Sequence, residues 1–271
     1  MEKPLFGFIG CGNMGAALAR AARKNLGASQ LLLVNRTAEK ALALSRELGC
    51  RAGISSQAAR ESDFLFLGVK PQNMAELLAG LSPALKKRAV PPVLVTMAAG
   101  LDTAAVGAMA GGGFPIIRIM PNTPCAVGEG MLLCTATTDV TPEQRETFSA
   151  AMASAGRLVW MEERYIDAGS AVSGCGPAFV YLFAEALADG GVACGLPRQL
   201  ALESAAQTLL GAARLLLESG AHPGALKDAV CSPGGSTIQG VRALEDAGFR
   251  GAVLEAVVAA YEKTLELGGK K

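Results

Sequence analysis

The chain of 271 residues has one histidine, His222, one tryptophan, and only 18% charged residues. None of its seven cysteines (Cys11, Cys50, Cys125, Cys134, Cys175, Cys194, Cys231) forms Cys-x-x-Cys, so the ligand supply of a zinc site is missing. Their odd number and wide spacing suit reduced thiols in a cytoplasmic protein better than a disulfide framework. Charge of either sign in excess is also lacking, with 25 Lys and Arg against 24 Asp and Glu. That balance leaves no general basic surface for nucleic acid and no acidic tail. No stretch of about 18 residues is free of both charges and helix breakers, which argues against a membrane span. The most apolar region, Ala168 to Ala184, is interrupted by Gly169, Gly174, Gly176 and Pro177. The opening MEKPLFGFIG lacks the long apolar core and small-residue cleavage site of a signal peptide and reads as a first strand.

What is abundant is apolar, at 51% of the chain, with alanine, leucine and glycine dominating. Up to about residue 162 short apolar runs alternate with amphipathic stretches. Strands are expected at Leu5–Gly10, Leu31–Asn35, Phe64–Val69, Val93–Met97, Ile116–Met120, Met131–Thr135 and Leu158–Met161. Helices are expected at Met14–Asn25, Ala38–Leu48, Asn73–Ala79 and Pro142–Ala155. Solid runs such as FLFLGV belong to strands buried on both faces, so the reading is a doubly wound α/β domain with a parallel sheet. From Glu163 the period changes to that of helices, at Pro177–Ala188, Pro197–Glu218, Pro223–Val230, Thr237–Ala247 and Ala252–Leu267. Two domains result, 1–162 and 163–271, the second all-helical and poor enough in charge to pack against a partner. The tail GGKK is expected to fray.

Gly10-Cys11-Gly12-Asn13-Met14-Gly15 is G-x-G-x-x-G directly after the first strand and at the start of a helix. Glycines there let backbone amides approach a pyrophosphate at the positive helix end, so this loop is expected to hold a dinucleotide. An NAD site usually ends its second strand with Asp or Glu; this chain has Asn35-Arg36-Thr37, an amide, a cation and a hydroxyl. NADPH is therefore the expected cofactor, with NADH possible. Val69-Lys70-Pro71 and Ala98-Ala99-Gly100 follow later strands and fall on the same ligand-binding edge. In the second half, Ser232-Pro233-Gly234-Gly235-Ser236-Thr237 is a glycine-rich turn opening a helix, a site for one carboxylate. The plainer alternative is a proline–glycine corner with Thr237 as its N-cap.

The segment from Asp228 through Ser232-Pro233-Gly234-Gly235-Ser236-Thr237-Ile238 to Leu244-Glu245 resembles the signature of pyrroline-5-carboxylate reductases. Further matching pieces run in order along the chain: Phe8-Ile9-Gly10-x-Gly12-Asn13-Met14, Val69-Lys70-Pro71, Arg118-x-Met120-Pro121-Asn122-Thr123-Pro124, Ser173-Gly174-Cys175-Gly176-Pro177-Ala178, Asp189-Gly190-Gly191 and His222-Pro223-Gly224. The resemblance implies NAD(P)H-dependent reduction of 1-pyrroline-5-carboxylate to L-proline, the last step of proline synthesis. It also implies a Rossmann domain joined to a helical dimerisation domain, with dimers that often assemble into decamers. By position, Ser232, Gly235, Ser236 and Thr237 would hold the substrate, with Glu163 near it. The Gly10–Gly15 loop, Asn35, Arg36, Val69, Lys70, Pro71, Ala98 and Ala99 would line the cofactor, with Ser55 or Gln57 near the adenosine. Gly220 and Ala229 stand where some members place polar residues.

The chemistry of the residues points the same way. Ketone reduction calls for an acid, commonly lysine, tyrosine or histidine. Past residue 162 the lysines are Lys227, Lys263, Lys270 and Lys271, none on the helix entered at Gly176-Pro177. Tyr165, Tyr181 and Tyr261 are followed four residues on by Gly169, Glu185 and Leu265, so Tyr-x-x-x-Lys does not occur. An imine nitrogen can be protonated before reaction, and hydride attack then yields a neutral amine. The residues thus favour C=N over C=O reduction, with Thr237 placed at the ring nitrogen. The competing readings are a related reductase of another cyclic imine or a hydroxyacid, and a non-catalytic NADPH-binding protein. His222 and Trp160 read as structural, Cys11 and Cys231 as small fillers. Pro121-Asn122-Thr123-Pro124 reads equally well as a rigid turn or as pocket lining.

Overall fold

A computed structural model describes residues 3–269. Eight strands form one sheet: β1 (Phe6–Ile9), β2 (Leu31–Val34), β3 (Arg51–Ala52), β4 (Phe64–Leu67), β5 (Val93–Thr96), β6 (Ile116–Met120), β7 (Gly130–Ala136) and β8 (Gly156–Trp160). Their order is β3-β2-β1-β4-β5-β6-β7-β8, so the chain reverses its direction of winding between β1 and β4. All neighbours from β3 to β6 are parallel. β7 runs antiparallel to β6, and this departs from a wholly parallel sheet. The physical reason is chain length: residues 121–129 are fewer than the dozen or so that a parallel crossover needs. β3 carries too few residues, one of them exposed, to leave an apolar signature.

The helices of this half are α1 (Asn13–Asn25), α2 (Ala38–Leu48), α3 (Ser55–Glu61), α4 (Met74–Leu85), α5 (Thr103–Ala110) and α6 (Pro142–Met152). Alternation in FGFI and FLFL sends Phe6, Phe8, Phe64 and Phe66 to one face, where Phe8 stacks on Phe66 at 4.2 Å and Phe6 on Phe64 at 4.7 Å. Leu32, Val34, Leu65, Leu67 and Leu94 form the core under the opposite face. α6 starts at a reciprocal capping box in which Thr141 Oγ1 accepts from Gln144 N at 3.2 Å and Gln144 Oε1 from Thr141 N at 3.0 Å. α4 runs beyond its expected end because Pro83 falls in its last turn, where the missing N–H removes a single bond.

The second half begins with α7 (Ile166–Ser173) and α8 (Gly176–Ala193), followed by α9 (Arg198–Ser219), α10 (Pro223–Val230), α11 (Ser236–Asp246) and α12 (Phe249–Leu267). The compact units divide differently from the change in period at residue 162. One unit holds the chain up to Cys175 together with the segment from Ala260 onward, and the other is Gly176–Ala259. α7 belongs with the sheet because it packs on β7, with Ile166 buried against Leu133 and Met120. Within the second unit the buried cluster is only Ala188, Ala201 and Ala205, where α8 meets α9.

Two helical stretches, Glu163–Ala193 and Arg198–Ser219, are long and apolar enough to cross a membrane by length and composition, contrary to expectation. Of the residues counted as breakers, Gly169 is carried inside α7, Gly174 closes that helix, and Gly176 and Pro177 open α8. Of the tail expected to fray, Gly268 N–H bonds Thr264 O and Leu265 O at 3.1 Å; Lys270 and Lys271 lie outside the described residues.

Candidate active site

The glycine loop leaves β1 at its carboxyl end, beside the winding reversal where open α/β sheets bind ligands. Gly10 has φ +110°, and a Cβ there would sit 2.1 Å from Gly68 O on the neighbouring loop after β4. A Cβ on Gly15 would sit 2.0 Å from Gly10 O, so the third glycine lets α1 close on the strand. Gly12 differs: a Cβ would meet nothing within 4 Å. Gly12 is also the N-cap of α1 and offers no side-chain oxygen to its first turn. Space and unclaimed amides at a positive helix end together suit a pyrophosphate.

Asn35 pins this loop from β2: its Oδ1 accepts from Cys11 N at 2.9 Å, and its Nδ2 donates to Thr37 O at 3.0 Å. Arg36 is exposed and makes no ion pair among the described residues, and Thr37 caps α2 without using its side chain. A cation and a hydroxyl are thus available where the second strand ends. Cys11 is buried and its Sγ–H points to Val34 O at 3.5 Å, while burial pushes its pKa up to about 11. Such a thiol stays protonated at neutral pH and fills space.

Of Ser55 and Gln57, the second is engaged locally: its Oε1 lies 2.4 Å from where a Gly53 Cβ would be, and its side chain also bonds Glu61. Ser55 opens α3 with its hydroxyl unpartnered among the described residues. Lys70 is exposed and precedes a one-turn 3-10 segment, Pro71–Asn73; Ala98 is buried and Ala99 exposed in the loop after β5. Val69 packs at the margin of the leucine-rich core.

In the second unit, Gly234 adopts φ +70° and Gly235 N–H bonds Ser232 O at 3.0 Å, closing a turn ahead of α11. The N-cap of α11 is Gly235, which has no side chain to satisfy the first amides. Thr237 is therefore the second helical residue and not the cap. The hydroxyls of Ser232, Ser236 and Thr237 make no hydrogen bond among the described residues, and all three residues are exposed. Donors and hydroxyls converge on one uncapped helix start.

Several residues take structural positions. His222 caps α10, its Nδ1 accepting from Gly224 N at 3.1 Å. Gly220 caps α9 with φ +62°, a conformation that accounts for glycine there, and Ala229 is exposed on α10. Asn122 accepts from Met131 N and donates to Ser173 O, both at 2.9 Å, so the Pro121–Pro124 segment is a fastened turn. Trp160 packs on Phe148 with Arg145 above its ring.

Glu163 lies in the sheet unit, and both of its oxygens are engaged. Oε1 accepts from Thr103 N and Oε2 from Thr103 Oγ1, each at 2.7 Å. Arg118, wholly buried on β6, reaches Glu163 at 3.4 Å and Asp167 at 2.5 Å, while its Nε has no partner among the described residues. Arg118, Thr103 and Asp167 have no place in the sequence-based site. The available signal is one arginine in the apolar strand IIRIM.

This combination of a doubly wound sheet, an open glycine loop, a cation after the second strand that has no ion pair among the described residues, and a helical second half defines a nicotinamide-nucleotide oxidoreductase. Residues 163–267 match the family described as pyrroline-5-carboxylate reductase dimerisation, and residues 5–100 match NADP oxidoreductase coenzyme F420-dependent. The chain is 42% identical to a pyrroline-5-carboxylate reductase of Glycine max, the match covering 98% of this chain and 97% of that one. It is 40% identical to that of Escherichia coli K12, over 98% and 99% of the two chains. A crystal structure of the Plasmodium falciparum reductase with NADP bound superposes with TM-score 0.87 at 32% identity, over 99% of each chain. The chain belongs to the pyrroline-5-carboxylate reductase family.

Proposed function

We propose that this chain reduces 1-pyrroline-5-carboxylate to L-proline with NADPH in preference to NADH. The observation that carries the reading is the uncapped start of α11, where free amides and the Ser232, Ser236 and Thr237 hydroxyls can hold a carboxylate beside a ring nitrogen. NADPH, when bound, supplies the hydride. The loop at Gly10, Cys11, Gly12, Asn13, Met14 and Gly15 cradles its pyrophosphate, and Arg36 with Thr37 meets the 2′-phosphate. Asn35 serves by holding the loop, as its two hydrogen bonds require. Ser55, Val69, Lys70, Pro71, Ala98 and Ala99 line the remainder of the cofactor.

The substrate enters as a protonated imine, so no side chain has to deliver a proton during transfer. As hydride reaches carbon, the C=N electron pair settles on nitrogen and leaves a neutral secondary amine. The chain's task is orientation, which can supply about 7–11 kcal/mol of barrier lowering. The Ser232–Thr237 amides fix the carboxylate, and the Thr237 hydroxyl aligns the ring nitrogen.

Self-association is part of the same reading. A unit whose buried cluster is three alanines leaves Tyr181, Leu182 and Leu217 exposed at 64%, 68% and 69%. Those side chains call for a partner surface, and an obligate dimer, assembling further into a decamer, supplies one. The deciding experiment is purified protein with 1-pyrroline-5-carboxylate, following NADPH and NADH consumption separately. Proline formation with faster NADPH loss is expected; no turnover with either cofactor would overturn the reading.

A further inference from the structure

We infer that Glu163 and Thr103 form a clamp that positions the Ala98–Asp102 loop, with Glu163 a positioning residue that acts through Thr103 and does not touch substrate. The inference rests on the proposed reaction for its kinetic arm and on the geometry of the sheet unit for the rest. The loop leaves β5 after Thr96 and re-enters regular structure at Thr103, the first residue of α5. Its far end is held by both oxygens of Glu163, one on the Thr103 amide and one on its hydroxyl, each at 2.7 Å. The local cap Asp102 is already committed to Ala105 N at 2.8 Å. Glu163 therefore satisfies a donor that the loop itself leaves open.

Charge explains why the carboxylate faces that way. Arg118 is wholly buried and meets two carboxylates, Asp167 at 2.5 Å and Glu163 at 3.4 Å. Arg118 lies on one side of the Glu163 carboxylate and the positive end of α5 on the other, so both neighbours favour its charged form. Glu163 is thus fixed from behind by a buried cation and spends its hydrogen-bonding capacity on α5. The loop is also held midway. Gly100 has φ +77°, and a Cβ there would sit 2.9 Å from Gly268 N; a Cβ on Gly268 would sit 2.7 Å from Gly100 O. Ala98 and Ala99, the expected nicotinamide lining, lie on a loop restrained at two points by segments remote in sequence.

The test uses Thr103→Val, which deletes the hydroxyl but keeps the amide and shape, Thr103→Ser, which restores the hydroxyl, and Glu163→Gln. NADPH affinity is read by fluorescence titration, and kcat and KM by initial rates. Thr103→Val should lower kcat by about tenfold, the loss of one hydrogen bond to a charged group. NADPH should also bind several-fold more weakly, with KM for the imino acid unchanged. Thr103→Ser should restore both. Glu163→Gln combined with Thr103→Val should lose no more than the worse single variant, as expected for members of one contact. The inference is overturned if Thr103→Val matches the unaltered protein in both kcat and NADPH affinity. It is equally overturned if Glu163→Gln raises only the KM for the imino acid, the signature of direct substrate binding. Should Glu163→Gln fail to fold because it unbalances Arg118, the Thr103 pair decides alone. If the unaltered protein does not turn over 1-pyrroline-5-carboxylate, the proposed reaction fails, and the NADPH titration of the Thr103 variants still tests the clamp.

Discussion

Replacing Thr237 separates substrate placement from every other role the residue could have. Thr237 is the second residue of α11, behind Gly235 as N-cap, and its hydroxyl is unpartnered among the described residues. Thr237→Val therefore removes no capping bond, keeps the branched shape, and exchanges residues of similar helix propensity. Unfolding free energy should stay within the few tenths of a kcal/mol typical of exposed positions. A neutral hydrogen bond contributes about 0.5–1.5 kcal/mol and one to a charged group about 1.5–3 kcal/mol. The ring nitrogen is charged on entry and neutral after transfer, so the loss of kcat should fall between about threefold and a hundredfold by those figures. A contact made mainly during alignment lowers kcat more than it raises KM. Thr237→Ala should behave alike, and NADPH titration should be unmoved. Full activity in both variants would refute the role of the side chain and leave the amides alone holding the substrate. A large fall in NADPH affinity would place Thr237 with the cofactor instead.

Arg36→Ala should weaken NADPH by about tenfold or more while hardly changing NADH, since an exposed cation with no ion pair among the described residues contributes little else; equal losses in fluorescence titrations of both cofactors would remove it from the phosphate. Because that contact is exposed, the NADPH preference should shrink as salt rises from 0.05 to about 0.5 M. Light scattering should find dimers or larger at micromolar concentration, and a stable folded monomer would contradict the reading of the helical half. Cys11 has a folded pKa of about 11 against the ordinary 9.0. Its contribution to stability should be complete below pH 9 and decline as pH rises towards 11, because only the unfolded thiol ionises across that window. Denaturant melts of Cys11→Ala against the unaltered chain across that range should show the difference closing; a gap independent of pH would refute the assignment.

The strands from β1 to β8 were legible wherever both faces are buried, because FGFI, LLLV and FLFL have no polar residue to place in solvent. β3 was not, since two residues with an exposed arginine carry no period. α3, α5 and α7 carry no legible helical period because Ser55–Glu61, Thr103–Ala110 and Ile166–Ser173 are short; the last two also depend on contacts from elsewhere, Glu163 for α5 and Leu133 for α7. The loop glycines Gly10, Gly12 and Gly15 were readable from spacing, whereas the partners of Glu163 were not. Nothing in sequence distance relates residue 163 to residue 103, and an arginine in a strand tells that it needs an anion without telling which. Asn35 shows the same limit: its position at the end of β2 was evident, but its use as a brace for Cys11 N–H is a property of the folded loop.

The contact between Gly10 and Gly68 bears on how this protein can vary. Side-chain collisions in a core can be relieved by trimming the neighbour, so a second substitution elsewhere can rescue the first. Here the atom that a Gly10 side chain would strike is the carbonyl oxygen of Gly68, at 2.1 Å, and that oxygen is common to all twenty amino acids. No exchange at position 68 removes it, and a suppressor screen begun from Gly10→Ala should return true revertants at codon 10 in place of compensating changes at codon 68. The two loops are coupled through main chain alone, which makes their glycines independent necessities and not a co-varying pair.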